Sequence, residues 1–282
     1  IVLGSIYVLV ALGLTLIFGI VDVVNFAHGE FYMVGAFLAF LVVNSLGIPY
    51  LPGIAVAALG AAAFGFITER LLIRPLRRRA SPPINYVLVT VGLSTFLTST
   101  VLFMVGPDLR QIPSPYMKQM IHVGGVYLTT HRLLVVIVGA IIVGILIYFV
   151  KYTSLGSQMR ATAQNFQAAT IVGINTDRVF ALTFVIGAVL AGIAGALVGA
   201  MFVTEPTMGM TIIVKAFIVV IVGGMGSIAG SVVAGLGLGL VETIAGVLMP
   251  SEFIDIIGFS IMIIVLLTKP SGIFGIKGGQ GA

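Results

Sequence analysis

The chain contains no cysteine among its 282 residues. That removes disulfides, thiolate metal sites and cysteine nucleophiles from consideration. Charge is scarce too: only 8% of residues are Asp, Glu, Lys or Arg, against about 25% in soluble domains. With 59% of its residues hydrophobic, the sequence is that of an integral membrane protein. Catalytic patterns are also missing. There is no His-Glu-x-x-His motif and no paired carboxylate, so hydrolysis is a weak reading. His122 and His131 have no further ligands near them in sequence and read as solvated loop residues rather than a metal site. The run Gly223-Gly224-Met225-Gly226-Ser227 resembles a phosphate loop only superficially. It lacks the Lys and the spacing of a nucleotide cradle and reads as a turn. No catalytic residue, metal or cofactor is expected on the chain itself.

What remains is a series of oily runs. Apolar runs of about 17–25 residues mark spanning helices. They fall at residues 1–21, 31–46, 51–68, 84–105, 133–150, 179–203, 228–248 and 253–268. Residues 208–222 are ambiguous, being short and holding Lys215. The expectation is an all-α, polytopic membrane protein with about eight or nine transmembrane helices, organised as a single domain over residues 1–282. No cleavable signal peptide is expected, because the first run is too long and lacks a basic start and a cleavage site.

The basic residues set the orientation, since Lys and Arg stay on the cytoplasmic side. Most of the 14 fall in three places: Arg70, Arg74, Arg77, Arg78 and Arg79; Lys151, Arg160 and Arg178; and Lys269 and Lys277 in the tail. The loop 106–132 holds only Arg110, Lys118 and Arg132 and is assigned to the outer side. Even parity between the second cluster and the tail favours residues 208–222 as a crossing or its equivalent. The net charge of +5 therefore follows from topology, and no nucleic-acid partner is expected. In the outer loop, Ile121 to Leu128 reads as a small hairpin turning at Gly124-Gly125.

Residues 151–178 form a polar island between oily runs. Such a segment cannot lie in hydrocarbon, where its polar groups would lack partners. A helix is expected from about Ser157 to Val172, with Met159, Ala163, Phe166, Ala169 and Ile171 near one stripe and Gly173 as its stop. Its fate is open between packing on its own protein and docking on another; with few basic residues, lipid-surface binding is the weakest reading.

Small residues recur at intervals of four: Gly187, Ala191, Gly195 and Gly199, then Gly226 and Gly230. This spacing lets helices approach closely in lipid, inside one bundle or against a second subunit. Ionisable groups in or near the spans are costly there and point to a polar pathway or a buried pair. The densest set is Asn25, His28 and Glu30, on either a cytoplasmic turn or a bent interior segment. Lys215 and Glu242 come next.

Several segments carry a resemblance. They are Gly4-Ser5-Ile6-Tyr7, Val24 to Glu30, Gly173 to Arg178, Ala181 to Ala188, and Lys215-Ala216-Phe217 leading into Gly223 to Ile228. In this order, over nearly the whole chain, they resemble the permease subunits of bacterial importers for branched-chain amino acids, in particular the smaller of the two paired permeases. The resemblance implies an ATP-driven importer of the inner membrane. It implies a second homologous permease as heterodimer partner, two cytoplasmic ATPase subunits that use ATP and Mg, a periplasmic substrate-binding protein and surrounding membrane lipid. It places the ATPase-coupling motif on Arg160, Ala161, Asn165, Ala168, Ala169 and Gly173. Asn25, His28, Glu30, Lys215 and Glu242 are the pathway candidates. Related permeases carry urea or amides, and a stand-alone channel or secondary transporter is the further alternative.

Overall fold

The computed structural model describes residues 1–123, 126–250 and 253–275. Lys277 and the Gly124-Gly125 turn lie outside the described residues. Helix dominates because a chain in hydrocarbon must satisfy its backbone polar groups internally. Six helices are long and apolar enough to cross a membrane: α1 (Val2–Val21), α3 (Tyr50–Thr68) with its extension to Arg78, α5 (Pro83–Val105), α6 (Thr130–Tyr152), α9 (Thr176–Met201) and α11 (Ile228–Leu248). Three apolar helices are shorter: α2 (His28–Phe40), α10 (Met208–Gly223) and α12 (Ile254–Thr268). A π-helical turn, Glu69–Ile73, carries α3 into α4 (Arg74–Arg78), so the chain runs helical from Tyr50 to Arg78.

The centre of the bundle is α1 and α9, packed on α2, α3, α10 and α11. Backbones meet wherever small residues remove the side chain between them. A Cβ at Gly187 would sit 3.0 Å from the Gly13 carbonyl oxygen, and one at Gly195 would collide with the carbonyl of Tyr32. Ala191 is fully buried, and Gly199 packs on Ile112 and Thr204. The stripe on α9 therefore faces α1, α2 and the loops holding Ile112 and Thr204 in the same chain. Gly230 abuts Gly223 across α10 and α11. Gly226 departs from the expectation. It lies not in a helix but in the turn before α11, at φ +82° against Gly19, where the left-handed backbone requires glycine. The Ser227 hydroxyl then caps α11 by accepting from the Gly230 N–H at 3.1 Å.

Tertiary contacts place the loops on two faces. On the basic face, Arg74, Arg77 and Arg78 reach Asp177 at the start of α9, joining the arginine cluster to the end of the polar island. The tail joins them there: Ile273 and Phe274 donate backbone hydrogen bonds to the carbonyls of Val222 and Gly223. On the opposite face, Arg110 pairs with Thr204 across a two-way backbone bridge. The strands β1 (Met120–Val123) and β2 (Val126–Thr129) form the expected hairpin there, paired antiparallel. His131, expected in solvent, is instead fully buried; its Nε2 lies 3.0 Å from the Leu197 carbonyl oxygen. His122 is exposed and stacks on Tyr127.

Two short helices fall close to the runs expected for them: helix runs from His28 through the π-helical turn Leu41–Ser45, and α10 from Met208 to Gly223. At about 1.5 Å per residue, α2 with its π-helical turn is about 26 Å long and α10 about 24 Å, both less than the roughly 30 Å of a hydrocarbon core. Both start inside the bundle. His28 touches α1 halfway along, with its Nε2 3.0 Å from the Val10 carbonyl oxygen. Gly29 packs directly against Gly209. Non-helical chain, residues 22–27 and 202–207, leads to each start from opposite faces. Hydropathy places the start of α10 at 208, as found, and that of α2 three residues late, because His28 and Glu30 are polar.

Candidate functional site

The polar groups of the interior gather in two places. The first is the bend that opens α2. Asn25, His28 and Glu30 are all buried, so this is the bent interior segment and not an exposed turn. Asn25 Oδ1 accepts from the Ala27 N–H at 3.1 Å and holds the bend. Glu30 Oε1 accepts from Ser94 of α5 at 2.8 Å. Its second oxygen faces the start of α10, where a Cβ at Gly209 would stand 2.7 Å away. A carboxylate at a helix N-terminus is favoured by the helix dipole, and only glycine at 209 leaves room for it. The bend leaves Asn25 Nδ2, His28 Nδ1 and Glu30 Oε2 buried and unpartnered. Broken helices meeting at mid-depth are a recurrent way for transporters to present polar groups to a solute.

The second place lies in the half toward the hairpin face. Lys215 Nζ donates to Glu242 Oε1 at 2.5 Å and to Asp255 Oδ1 at 2.6 Å. The hydroxyl of Tyr7 donates to Glu242 Oε2 at 2.6 Å. One ammonium thus ties α10 to α11 and α12, while Glu242 reaches α1. Lys215 and Glu242 do pair. Asp255 was missed in the sequence because it stands at the start of an oily run. Its signal was parity of charge: a buried Lys between spans requires acidic partners. Nothing in the sequence sets Tyr7 apart from the rest of the Gly4-Ser5-Ile6-Tyr7 segment.

Cavities follow the seam between α1 and α10. Toward the hairpin face, the outer side in the orientation expected from sequence, a space of about 270 Å³ is lined by Tyr7, Tyr32, Glu205, Thr211 and Lys215 among apolar residues. In the inner half a space of about 320 Å³ has only apolar walls, including Leu14, Phe18, Phe26, Phe217 and Val220. At the basic face a wider recess of about 880 Å³ opens between the end of α1, Arg77, residues 162–166 and the turn at Met225. The bend before α2 separates the outer space from the inner two. Of the five pathway candidates, Lys215 lines the outer space, whereas Glu242 stands behind it and Asn25, His28 and Glu30 shape the bend.

The polar island contains two helices in place of the one expected: α7 (Ser154–Gln164) and α8 (Phe166–Ile171). Asn165 breaks them with an extended backbone, φ −158° and ψ 105°. The break is stable because the Asn165 side chain caps α8, accepting from the Ala168 N–H at 2.9 Å. Thr153 caps α7 in the same way through Gly156. The single apolar stripe is therefore divided. Met159 and Ala169 turn into the protein, while Ala163 is exposed with Phe166, Ile171 and Val172. Ile171 is 86% exposed. Arg160 donates to the Val150 carbonyl at the end of α6, fastening α7 to a spanning helix. Gly173 follows α8 at φ +89° with open space around its α-carbon, as a left-handed stop requires. Ala161 lies half-buried between these anchors.

Comparison with known proteins agrees with this architecture. The family model described as branched-chain amino acid transport system, permease component, matches residues 1–266. The high-affinity branched-chain amino acid transport system permease protein LivH of Escherichia coli is 37% identical, covering 97% of this chain and 92% of that protein. BraD of Pseudomonas aeruginosa, of the same description, is 34% identical over 96% of this chain and 92% of its own length. LivM of E. coli, also a high-affinity branched-chain amino acid permease, is 25% identical over 96% of this chain and 68% of its own. No solved structure matches significantly. A polytopic helical membrane chain matched end to end in this way belongs to the branched-chain amino acid transport system permease family.

Proposed function

We infer that the chain is the smaller permease of an ATP-driven importer that carries branched-chain amino acids across the bacterial inner membrane, into the cytoplasm. The observation that carries the mechanism is the α7–α8 pair. It presents Phe166, Ile171 and Val172 to solvent while Arg160 and the buried Met159 and Ala169 lock it to the bundle. An apolar surface on a rigid mount is what a motor subunit needs to grip. A separate ATPase pair, using ATP and Mg, seats these helices in a groove. Closure of that pair shifts α7–α8 as a lever, and because α7 is fastened to α6 and packs on α1 and α9, the motion reaches the α1–α10 seam. Arg160, Ala161, Asn165, Ala168, Ala169 and Gly173 keep the lever's shape. A second related permease completes the transmembrane unit, and a soluble binding protein docks on the face that carries the β1–β2 hairpin.

The seam suits the solute. An aliphatic side chain gains about 0.8 kcal/mol per buried methylene in apolar surroundings, and the inner cavity has only apolar walls. The charged ends of an amino acid need polar partners, which the outer cavity offers through Glu205, Lys215 and Tyr7. The test is reconstitution with ATPases, a second permease and a binding protein of this family from the same organism. ATP-dependent leucine, isoleucine or valine uptake is expected. Uptake at full rate without ATPase would overturn the reading, as would a binding protein that holds urea or an amide and ignores these amino acids.

A further inference from the structure

The transport reading makes no use of the arginine-lined recess at the junction of α3 and α4. Arg70, Arg74, Arg78 and Arg79 converge with Pro75 around a space of about 400 Å³ on the basic face. With Arg77, five guanidiniums stand there against two carboxylates. Glu69 is fully buried and takes Arg74 at 2.8 Å; Asp177 takes Arg77 and, at 2.8 Å, Arg78. Arg78 remains 68% exposed even so, and Arg70 and Arg79 are exposed with no acidic partner among the described residues. The cluster therefore keeps a surplus of positive charge aimed outward.

Its location supplies the second half of the argument. The helix leading into the recess is oily on its outer side: Phe66, Ile67 and Leu71 are exposed. Ile84 and Leu88 at the start of α5, just across the turn, are exposed as well. The π-helical turn Glu69–Ile73 runs straight from this apolar surface to the arginines. Apolar surface below and unneutralised guanidiniums above is the pattern of one amphiphile: acyl chains on the helices, phosphate in the recess. Guanidinium forks match phosphate oxygens bidentately, and basic pockets at the cytoplasmic ends of spanning helices attract anionic headgroups. We propose that this recess is a binding site for an anionic phospholipid, whose phosphate is held by Arg70, Arg78 and Arg79 and whose acyl chains lie along α3 and α5.

The site is tested on the full chain with its partner subunits, purified in mild detergent and titrated with cardiolipin, phosphatidylglycerol or phosphatidylcholine while bound lipid is counted by native mass spectrometry. Anionic lipid is expected to bind more tightly than phosphatidylcholine, and the double variant Arg70→Gln/Arg79→Gln to lose about thirtyfold in that affinity. The companion Arg70→Lys/Arg79→Lys, which keeps the charge and controls for folding, is expected to keep most of it. Equal retention of anionic lipid by the glutamine variant overturns the proposal. Displacement by millimolar inorganic phosphate also overturns it, because then the recess is a simple anion site without lipid contacts. So does loss of ATPase subunits from the glutamine variant with lipid binding unchanged, which would assign the surface to the motor. None of these outcomes depends on which solute the complex carries.

Discussion

Lys215 shows how an expensive residue is kept in an oily chain. Its ammonium is buried to 9% side-chain exposure between Glu242 and Asp255. Removing one partner of a buried pair leaves the other uncompensated, at about 3–5 kcal/mol. Lys215→Ala is expected to lower thermal stability in detergent by that order and to lower transport. Pairing it with Glu242→Gln removes the orphaned charge, so the double variant is expected to be more stable than Lys215→Ala alone. Additive losses in the unfolding midpoint would show that the pair is not coupled. Gly29 makes the opposite case, of a residue kept for its lack of a side chain. A methyl group there collides with the Gly209 carbonyl, and neither half-helix start can retreat from a packed core. Gly29→Ala is expected to reduce the yield of folded protein in the membrane, read by gel filtration of the solubilised chain.

At the level of elements, the break at Asn165 matters most. One continuous helix from 154 to 171 would point Phe166 and Ile171 along the stripe begun by Met159. Two capped helices turn them outward instead. Loss of the cap costs about 1 kcal/mol, so Asn165→Ala is expected to leave the bundle folded while loosening α8. The measurable result is weaker coupling: a smaller stimulation of ATP hydrolysis by substrate-loaded binding protein. Arg160→Glu replaces the donor that fastens α7 to the Val150 carbonyl with a like-signed oxygen, and a larger drop in the same stimulation is expected. Normal stimulation in both variants would remove α7–α8 from the coupling role.

The molecule as a whole has two faces that the absence of cysteine makes easy to tell apart. A single cysteine at Ile171 and another at Tyr127, each in its own variant, stand on opposite faces at 86% and 72% exposure. A membrane-impermeant maleimide is expected to label Tyr127→Cys in intact spheroplasts and Ile171→Cys only after the membrane is opened. The reverse pattern would invert the topology and with it the direction of the motor. Labelling of both from one side would break the two-face arrangement built from the Arg77–Asp177 and Arg110–Thr204 contacts.

Much of this was legible in residue order alone, for reasons that act locally. Long oily runs must be helices in lipid. The basic residues sort the loops, and the polar island cannot enter the bilayer. Small residues at intervals of four announce close packing without naming the partner helix. What sequence order withheld was set by neighbours far along the chain. Whether residues 25–30 lie in water or in the interior depends on α1, α5 and α10 closing around them. That Lys215, beside lining a cavity, is one end of a tie depends on Glu242 and Asp255 reaching it across α10, α11 and α12. His131 can be buried because α9 offers a carbonyl and Ser114 a hydroxyl to its ring. Hydropathy is a property of a window of residues and is read directly from their order. Satisfying a polar group at depth is a property of the surroundings, and those exist only once the helices have packed.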